Sequence, residues 1–363
     1  MFKNFFYKKK ILITGHTGFK GCWLIIWLHL LGANLYGLSL KPNQKYNKFF
    51  FFLRSKVKNH FFDISNKKKT INLIKRIQPD FIFHLAAQSL VSESYKNPFF
   101  NWKTNLFGTL NVLESIKYIK KKHTLIVVTS DKCYEVNDQK NKIFKETARL
   151  GGKDPYSASK ACVEILTKSF YHSFFKNNKN NLVATVRAGN VIGGGDFSKE
   201  RIVPDCMKSW HLNKHVKIRN PSHVRPWQHV LDAISGYLLL AKKLNENSRI
   251  NGESFNFGPS NTKLISVKKL VEKFSLVFKN FSIKEIKNNK KKFTETLILQ
   301  LNSSKSKKIL KWKSSLDISQ TVSMTSEWYK MYYNNNKNIK SLCLEQIKSF
   351  YEIAIRKKNY WIK

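Results

Sequence analysis

The eight residues Thr14-Gly15-His16-Thr17-Gly18-Phe19-Lys20-Gly21 constrain this chain more than any other stretch. They follow a short apolar run, Ile11-Leu12-Ile13, and open a strongly apolar segment from Phe19 to Leu31 that stops at Gly32. The spacing is G-x-x-G-x-x-G in the order strand, turn, helix. Gly15 permits the tight turn, Gly18 lets backbone approach a pyrophosphate, and Gly21 lets the helix pack on the strand. A diphosphate there meets the N–H groups and the positive end of the helix dipole. Gly15, Thr17, Gly18, Phe19 and Gly21 are therefore candidate contacts for a dinucleotide.

Alternation of strands and helices continues downstream. Strands are expected at Asn34–Leu40, Phe81–Leu85, Leu125–Ser130 and Leu182–Arg187. Helices are expected over 67–77, Trp102–Lys120 and Ser157–Phe175. This order argues for a parallel sheet with helices on both faces. The expected fold class is α/β, a Rossmann-type doubly wound parallel sheet with a smaller C-terminal substrate lobe, because the pattern turns irregular after Asn190. Residues 41–62 form a basic, phenylalanine-rich connection with no assignable element, and the Lys/Asn runs near 176–181 and 287–292 read as surface loops.

With 363 residues, 42% of them hydrophobic, the chain can bury a large core. No apolar run reaches bilayer length, and Met1–Lys10 has no signal-peptide pattern. Five scattered cysteines show no C-x-x-C spacing, so neither a metal site nor a disulfide framework is expected, and a reducing cytoplasm fits best. Lys plus Arg number 66 against 23 acids, a net charge of +43. That field favours anionic partners, nucleic acid among them. The excess is dispersed lysine travelling with Asn, Ile and Phe, which points to compositional drift and away from a nucleic-acid function.

Dinucleotide folds usually place an acid about 20 residues after the glycine turn, on the ribose hydroxyls. No acid precedes Asp63 here, and the second strand ends in Ser39 and Lys41, which leaves NADP open beside NAD. Asp63 and Ile64 are candidate adenine contacts. Leu85, Ala86 and Ala87, at the end of the third strand, are small enough to let a cofactor lie close to backbone.

Tyr156 and Lys160 have Y-x-x-x-K spacing, which puts both on one helix face. The ammonium is expected to lower the phenol's pKa, giving a base for a hydroxyl proton. Ser130, at a strand end in Thr129-Ser130-Asp131-Lys132-Cys133-Tyr134, offers a hydroxyl to the same substrate oxygen, and Asn105 adds a helix-borne polar anchor.

At this point the chain resembles the extended short-chain dehydrogenase/reductases, and within them the CDP-glucose 4,6-dehydratase branch. The segments that carry the likeness are TGHTGFKG (14–21), FHLAAQSLV (83–91), TSDKCYE (129–135), LGGKDPYSASKA (150–161), RAGNVIGGGDF (187–197), IRNPSHVRPWQHV (218–230) and FNFGP (255–259). Ser130-Asp131-Lys132 separates this branch from related dehydratases, which carry Glu in the third place, and from epimerases, which lack the acid–base pair. Asn302 stands where the family's tail has Asp, and 287–296 lacks expected histidines.

The resemblance implies NAD as cofactor and conversion of CDP-glucose to CDP-4-keto-6-deoxyglucose, in deoxysugar and surface-polysaccharide biosynthesis. It implies catalytic roles for Ser130, Asp131, Lys132, Tyr156 and Lys160, with either Lys132 or Asp131 as the C5 base. It places Gln88, Asn190, Arg201, Arg219 and Arg225 on the substrate side, Arg225 foremost as a phosphate clamp. It implies an NAD-binding domain of 1–187 plus about 224–257, a nucleotide-sugar lobe of about 188–223 plus 258–363, and a homodimer or higher oligomer. Another nucleotide-sugar dehydratase or 4-epimerase of this fold is the alternative; a nucleic-acid-binding protein on a retained fold is a more remote one.

Overall fold

The computed structural model describes residues 1–44, 47–136, 143–260, 265–278, 282–285, 298–334 and 338–362. The loop expected at 287–292, with the whole 287–296 segment, lies outside them.

Apolar Lys10–Thr14 forms β1, and the glycine turn leads into α1 (Phe19–Leu30). The next strands are β2 (Asn34–Ser39), β3 (Lys58–Phe61), β4 (Phe81–His84), β5 (His123–Val128), β6 (Asn181–Ala188) and β7 (Ser254–Phe257). Among the described residues these seven form one parallel sheet in the order β7-β6-β5-β4-β1-β2-β3. β5 and β6 are buried along their whole length, as parallel strands covered on both faces must be. Strand order reverses between β1 and β4, and open α/β sheets take their ligands in the crevice at the carboxyl ends of such a pair.

β3 and its lead-in occupy the stretch left unassigned by the sequence. Residues 58–61 show no apolar alternation; pairing with β2, from Tyr36↔Lys58 to Ser39↔Phe61, is what makes them a strand. Before it, Phe49 and Phe50 are buried, Phe49 lying edge-on to Trp23 and Trp328.

One sheet face carries α2 (Lys67–Ile77), α3 (Gly108–Ile116) and α4 (Pro155–Phe170), whose apolar sides meet Leu12, Ile82, Leu125 and Val127. The single helix expected over 102–120 is broken. A short helix at Pro98–Trp102 runs into a π turn at Lys103–Phe107 before α3 begins. Such turns recur at functional sites, and this one holds Asn105. The other face carries α1 and α5 (Val230–Glu246).

α1 is buried from Gly21 to Leu28, apolar on all sides. Its outer side is covered by α7 (Ile339–Arg356), which follows α6 (Ile318–Tyr333); Trp27 meets Phe350 and Trp361 edge-on at 5.6 Å each. Short parallel pairs lie beyond the main sheet: 191–192 with 228–229, 216–218 with 283–285, and 143–144 with 300–301. Among the described residues no helix is long and apolar enough to cross a membrane.

Candidate active site

The glycine turn is built by close backbone approach. Gly15 has φ +71°, and a Cβ there would meet Ala86 N at 2.7 Å. The turn after β1 thus lies directly on the end of β4, which is also why position 86 is small. A Cβ at Gly21 would meet Gly15 O at 2.5 Å, so the helix packs on its own lead-in. Gly18 caps α1 without a side-chain hydrogen bond, and the first turn holds no acid. An uncapped, acid-free helix start at the switch point suits a diphosphate.

Thr17 is buried, and its carbonyl accepts from Asn47 Nδ2 at 2.9 Å, while Phe19 packs on the core. Asp63 follows β3 with its Oδ1 accepting from Ser65 N; Ile64 is buried, its methyl against Gly108. Ser39 Oγ donates to its neighbour Leu40 O, and Lys41 is exposed.

The side chains that the sequence marks as candidate catalytic groups converge from two elements. α4 starts cleanly because Asp154 caps it, accepting from Ser157 N at 2.9 Å, and Pro155 occupies the first turn. Tyr156 and Lys160 then face inward, 7% and 5% exposed. Opposite them, β5 ends and the chain makes a 3₁₀ turn at Asp131–Cys133. Ser130 sits at the head of that turn and accepts from Lys132 N at 3.2 Å. Its hydroxyl donates to Asp131 Oδ1 at 2.9 Å and lies near enough to Tyr156 to pull that phenol's pKa down. Asp131 is 4% exposed, and its Oδ2 has no partner.

Burial dominates the electrostatics. It pushes the Tyr156 phenol up to about 12, against the pull of Ser130's hydrogen bond, with the Asp131 carboxylate pushing further up. The sequence spacing predicts a phenol lowered by the Lys160 ammonium; burial raises it instead. Lys160 itself is brought down to about 8 by burial, opposed by Glu164. Its Nζ donates to Val128 O at 3.1 Å. Burial also raises the Asp131 carboxyl, against Lys132, the Ser130 hydrogen bond, Arg225 and Lys20. A carboxyl shifted that way is suited to give a proton.

Asn105 is 1% exposed and spends its polar atoms on protein. Nδ2 donates to Gln88 O, Asn101 Oδ1 and Ser159 Oγ, and Oδ1 accepts from Gln88 N at 2.8 Å. It ties the end of β4 to α4, so its part is to position backbone at 88.

A family model described as GDP-mannose 4,6 dehydratase matches residues 12–325. The chain belongs to that family. Among its relatives, the CDP-glucose 4,6-dehydratase of Salmonella typhimurium is 37% identical over 335 residues, covering 91% of this chain and 93% of that protein. A UDP-glucose 4-epimerase of Mycoplasma genitalium is 25% identical, covering 90% and 98%. A solved dTDP-glucose 4,6-dehydratase from Bacillus anthracis, in complex with NAD, superposes with TM-score 0.74 at 22% identity, covering 91% and 99%.

In this member of the GDP-mannose 4,6 dehydratase family, the other sequence candidates are unevenly placed. Arg201 lies in the field of Tyr156, paired with Asp196 at 2.8 Å and donating to Ser89 Oγ at 3.2 Å. Arg225 is buried and bears on Asp131; its Nη1 donates to Val224 O. Gln88 is buried with Oε1 unpartnered, and Asn190 is half-buried, its carbonyl accepting from Gln228 N. Arg219 is exposed, and its charge bears on Asp205 instead.

Three members of the cluster escaped the sequence reading. Lys20, in the glycine turn, shares the field of Asp131, Asp196, Arg201 and Lys160, and burial lowers it to about 8. His84 bridges Thr14 Oγ1 at 2.7 Å and Thr109 Oγ1 at 3.0 Å. Asp196 holds Arg201. Each sat inside a segment quoted for its resemblance, but only the fold shows what it faces.

Proposed function

We propose that this chain is an NAD-dependent hydro-lyase that converts CDP-glucose to CDP-4-keto-6-deoxyglucose and water. The observation that carries the reading is the convergence of Tyr156 and Asp131 at Ser130: a buried carboxyl of raised pKa accepts that hydroxyl's hydrogen bond, and a buried phenol lies within its influence. The 37% identical relative supports the choice of nucleotide sugar. An epimerase needs no acid at 131, which favours dehydration.

The cradle fits a dinucleotide: Gly15 lies against Ala86, α1 starts uncapped, and Asp63 and Ile64 follow the carboxyl end of β3. Bound there, NAD supplies an acceptor for the C4 hydride of the hexose and a donor that returns it to C6. The chain's own groups move the protons. Tyr156, steadied by Ser130 and by the Lys160 ammonium, takes the proton of the C4 hydroxyl. The resulting 4-ketone acidifies the C5 proton, so oxidation must come before elimination. In this reading Lys132, in its neutral amine form, receives the C5 proton, and Asp131 delivers its own to the departing C6 hydroxyl, which leaves as water; Lys132 then gives its proton back to C5 as hydride reaches C6, and the proton held by Tyr156 makes good the one Asp131 lost. Arg225 and Arg201 supply guanidinium donors toward the substrate diphosphate.

We assign residues 1–187 plus about 224–257 to cofactor binding and about 188–223 plus 258–363 to the nucleotide sugar. The enzyme works in the cytoplasm, in deoxysugar supply for surface polysaccharide such as O-antigen. It acts as a homodimer: Phe99, Phe107, Ile165 and Phe174 lie 76%, 54%, 57% and 52% exposed along the helices of 98–116 and 155–175, an apolar surface suited to a second copy.

The test is incubation with CDP-glucose carrying tritium at C4. Label recovered at C6 of a 4-keto sugar is expected. A 4-epimerised sugar, or label released to solvent, would defeat the reading.

A further inference from the structure

Behind the catalytic line lies a second buried charged cluster that the proton transfers above do not use. Glu164 follows Lys160 by four residues on α4, so Tyr156, Lys160 and Glu164 rise along one face. Its Oε1 accepts from Thr129 Oγ1. Its Oε2 accepts from Thr185 Oγ1 at 2.6 Å, Arg187 Nη2 at 2.8 Å and Ser254 Oγ at 3.1 Å. Arg187 Nη1 donates to Tyr134 OH at 2.9 Å and to Glu146 O at 3.0 Å. Tyr134 OH in turn donates to Asn256 Oδ1 at 2.7 Å. Thr129 and Tyr134 bracket the Ser130–Cys133 turn, so one network grips α4 and both ends of that turn.

An ion pair this deep, with side chains 3% and 2% exposed, is weak evidence for stability, since apolar replacements of similar volume are often as stable. Its location points to the chemistry. Lys160 is pulled toward neutrality by burial, and Glu164 is the foremost charge that opposes this, ahead of the Cys133 thiol. From the other elements, His84 on β4 and Lys20 on α1 lie in the same field. His84 is neutral there, and Lys20 is a second cation that Lys160 must tolerate.

We propose that Glu164, fixed by Arg187 and the hydroxyls of Thr129, Thr185 and Ser254, is a positioning residue for the reaction. It keeps Lys160 an ammonium next to Tyr156 and holds the Ser130–Cys133 turn in register with α4. The inference rests on the reading of Tyr156 and Lys160 as the catalytic pair. It adds that the pair's working pH range is set from one helical turn further on.

The experiment is kcat and KM for CDP-glucose against pH. Wild-type turnover is expected to fall in the alkaline range as Lys160 loses its proton near pH 8. Glu164→Gln keeps the shape and removes the charge, and should move that fall about one unit lower with KM nearly unchanged. Glu164→Asp, which keeps the charge, should bring it back. Glu164→Gln combined with Arg187→Met leaves no unpaired guanidinium and should show a smaller displacement in the same direction, which covers misfolding of the single variant. A folded charge-less variant whose alkaline fall coincides with wild type would overturn the proposal. Absence of any wild-type turnover would overturn the functional reading, and this inference with it, before a variant is compared.

Discussion

Ser130 Oγ donates to Asp131 Oδ1 across 2.9 Å, and the other oxygen of that carboxyl, Oδ2, is buried without a partner. One oxygen is held and the other is presented. Burial raises the carboxyl's pKa, which suits this group to give a proton.

Asp131→Asn should therefore separate the two halves of the reaction. Overall turnover is expected to drop by about 10²–10⁴-fold, the usual worth of a positioned acid. Oxidation at C4 should persist, so reduced nicotinamide accumulates on the enzyme. Single-turnover absorbance of the cofactor reads this directly; full turnover in the variant would remove Asp131 from the acid role.

Gly15→Ala forces a side chain into a left-handed backbone and against Ala86 N. The backbone alone costs roughly 1–2 kcal/mol, and the collision pushes β4 away from the turn. Weaker NAD binding, by about tenfold or more, and a lower melting temperature are expected. Titration by fluorescence and thermal melts check both; an alanine variant that binds like wild type would mean the turn does not carry the cofactor.

Much of the cradle and of the Tyr156–Lys160 pair was legible because each is written in local spacing: a strand, three glycines and a helix, then two residues one turn apart. β3 was not legible, because Lys58–Phe61 has neither alternation nor an apolar run and becomes a strand only beside β2. The π turn at 103–107 shifts register by one residue, which no periodicity in the sequence announces. The direction of the Tyr156 shift is not legible in sequence for a related reason. Spacing places the ammonium nearby, whereas burial is decided by the whole fold. Lys20, Asp196 and the Glu164–Arg187 pair come together from distant segments and carry no local signature.

Four histidines are buried and held below their ordinary value: His16 and His123 at about 4, His84 and His229 at about 3, desolvation being the first cause in each. The unfolded chain binds these protons near 6.5, so the stability they contribute is complete above that pH and is lost as pH falls toward the folded values. Each contributes a slope of about 1.4 kcal/mol per pH unit in that window. His229 accepts from Leu231 N as the cap of α5 and leaves Nε2 unpartnered. His229→Asn retains a capping side chain and should flatten the slope by one histidine's worth, measured by urea unfolding at several acidic pH values. An unchanged slope would show that His229 is not neutral and buried.

Phe99→Glu with Ile165→Glu changes two exposed side chains and should leave the fold intact. The wild type is expected to sediment as a dimer, and the double variant as the 42.5 kDa monomer. A wild type that sediments at 42.5 kDa at micromolar concentration would dispose of the dimer.

The covering of α1 by α7 has a consequence for how the molecule is made. Trp27 finds Phe350 and Trp361 only after the whole sheet and the helices between them have been synthesised. Until then the nascent protein carries an apolar helix with no shelter on its outer side. Low temperature or chaperone supply during expression should raise the soluble yield more than any change at the catalytic groups would.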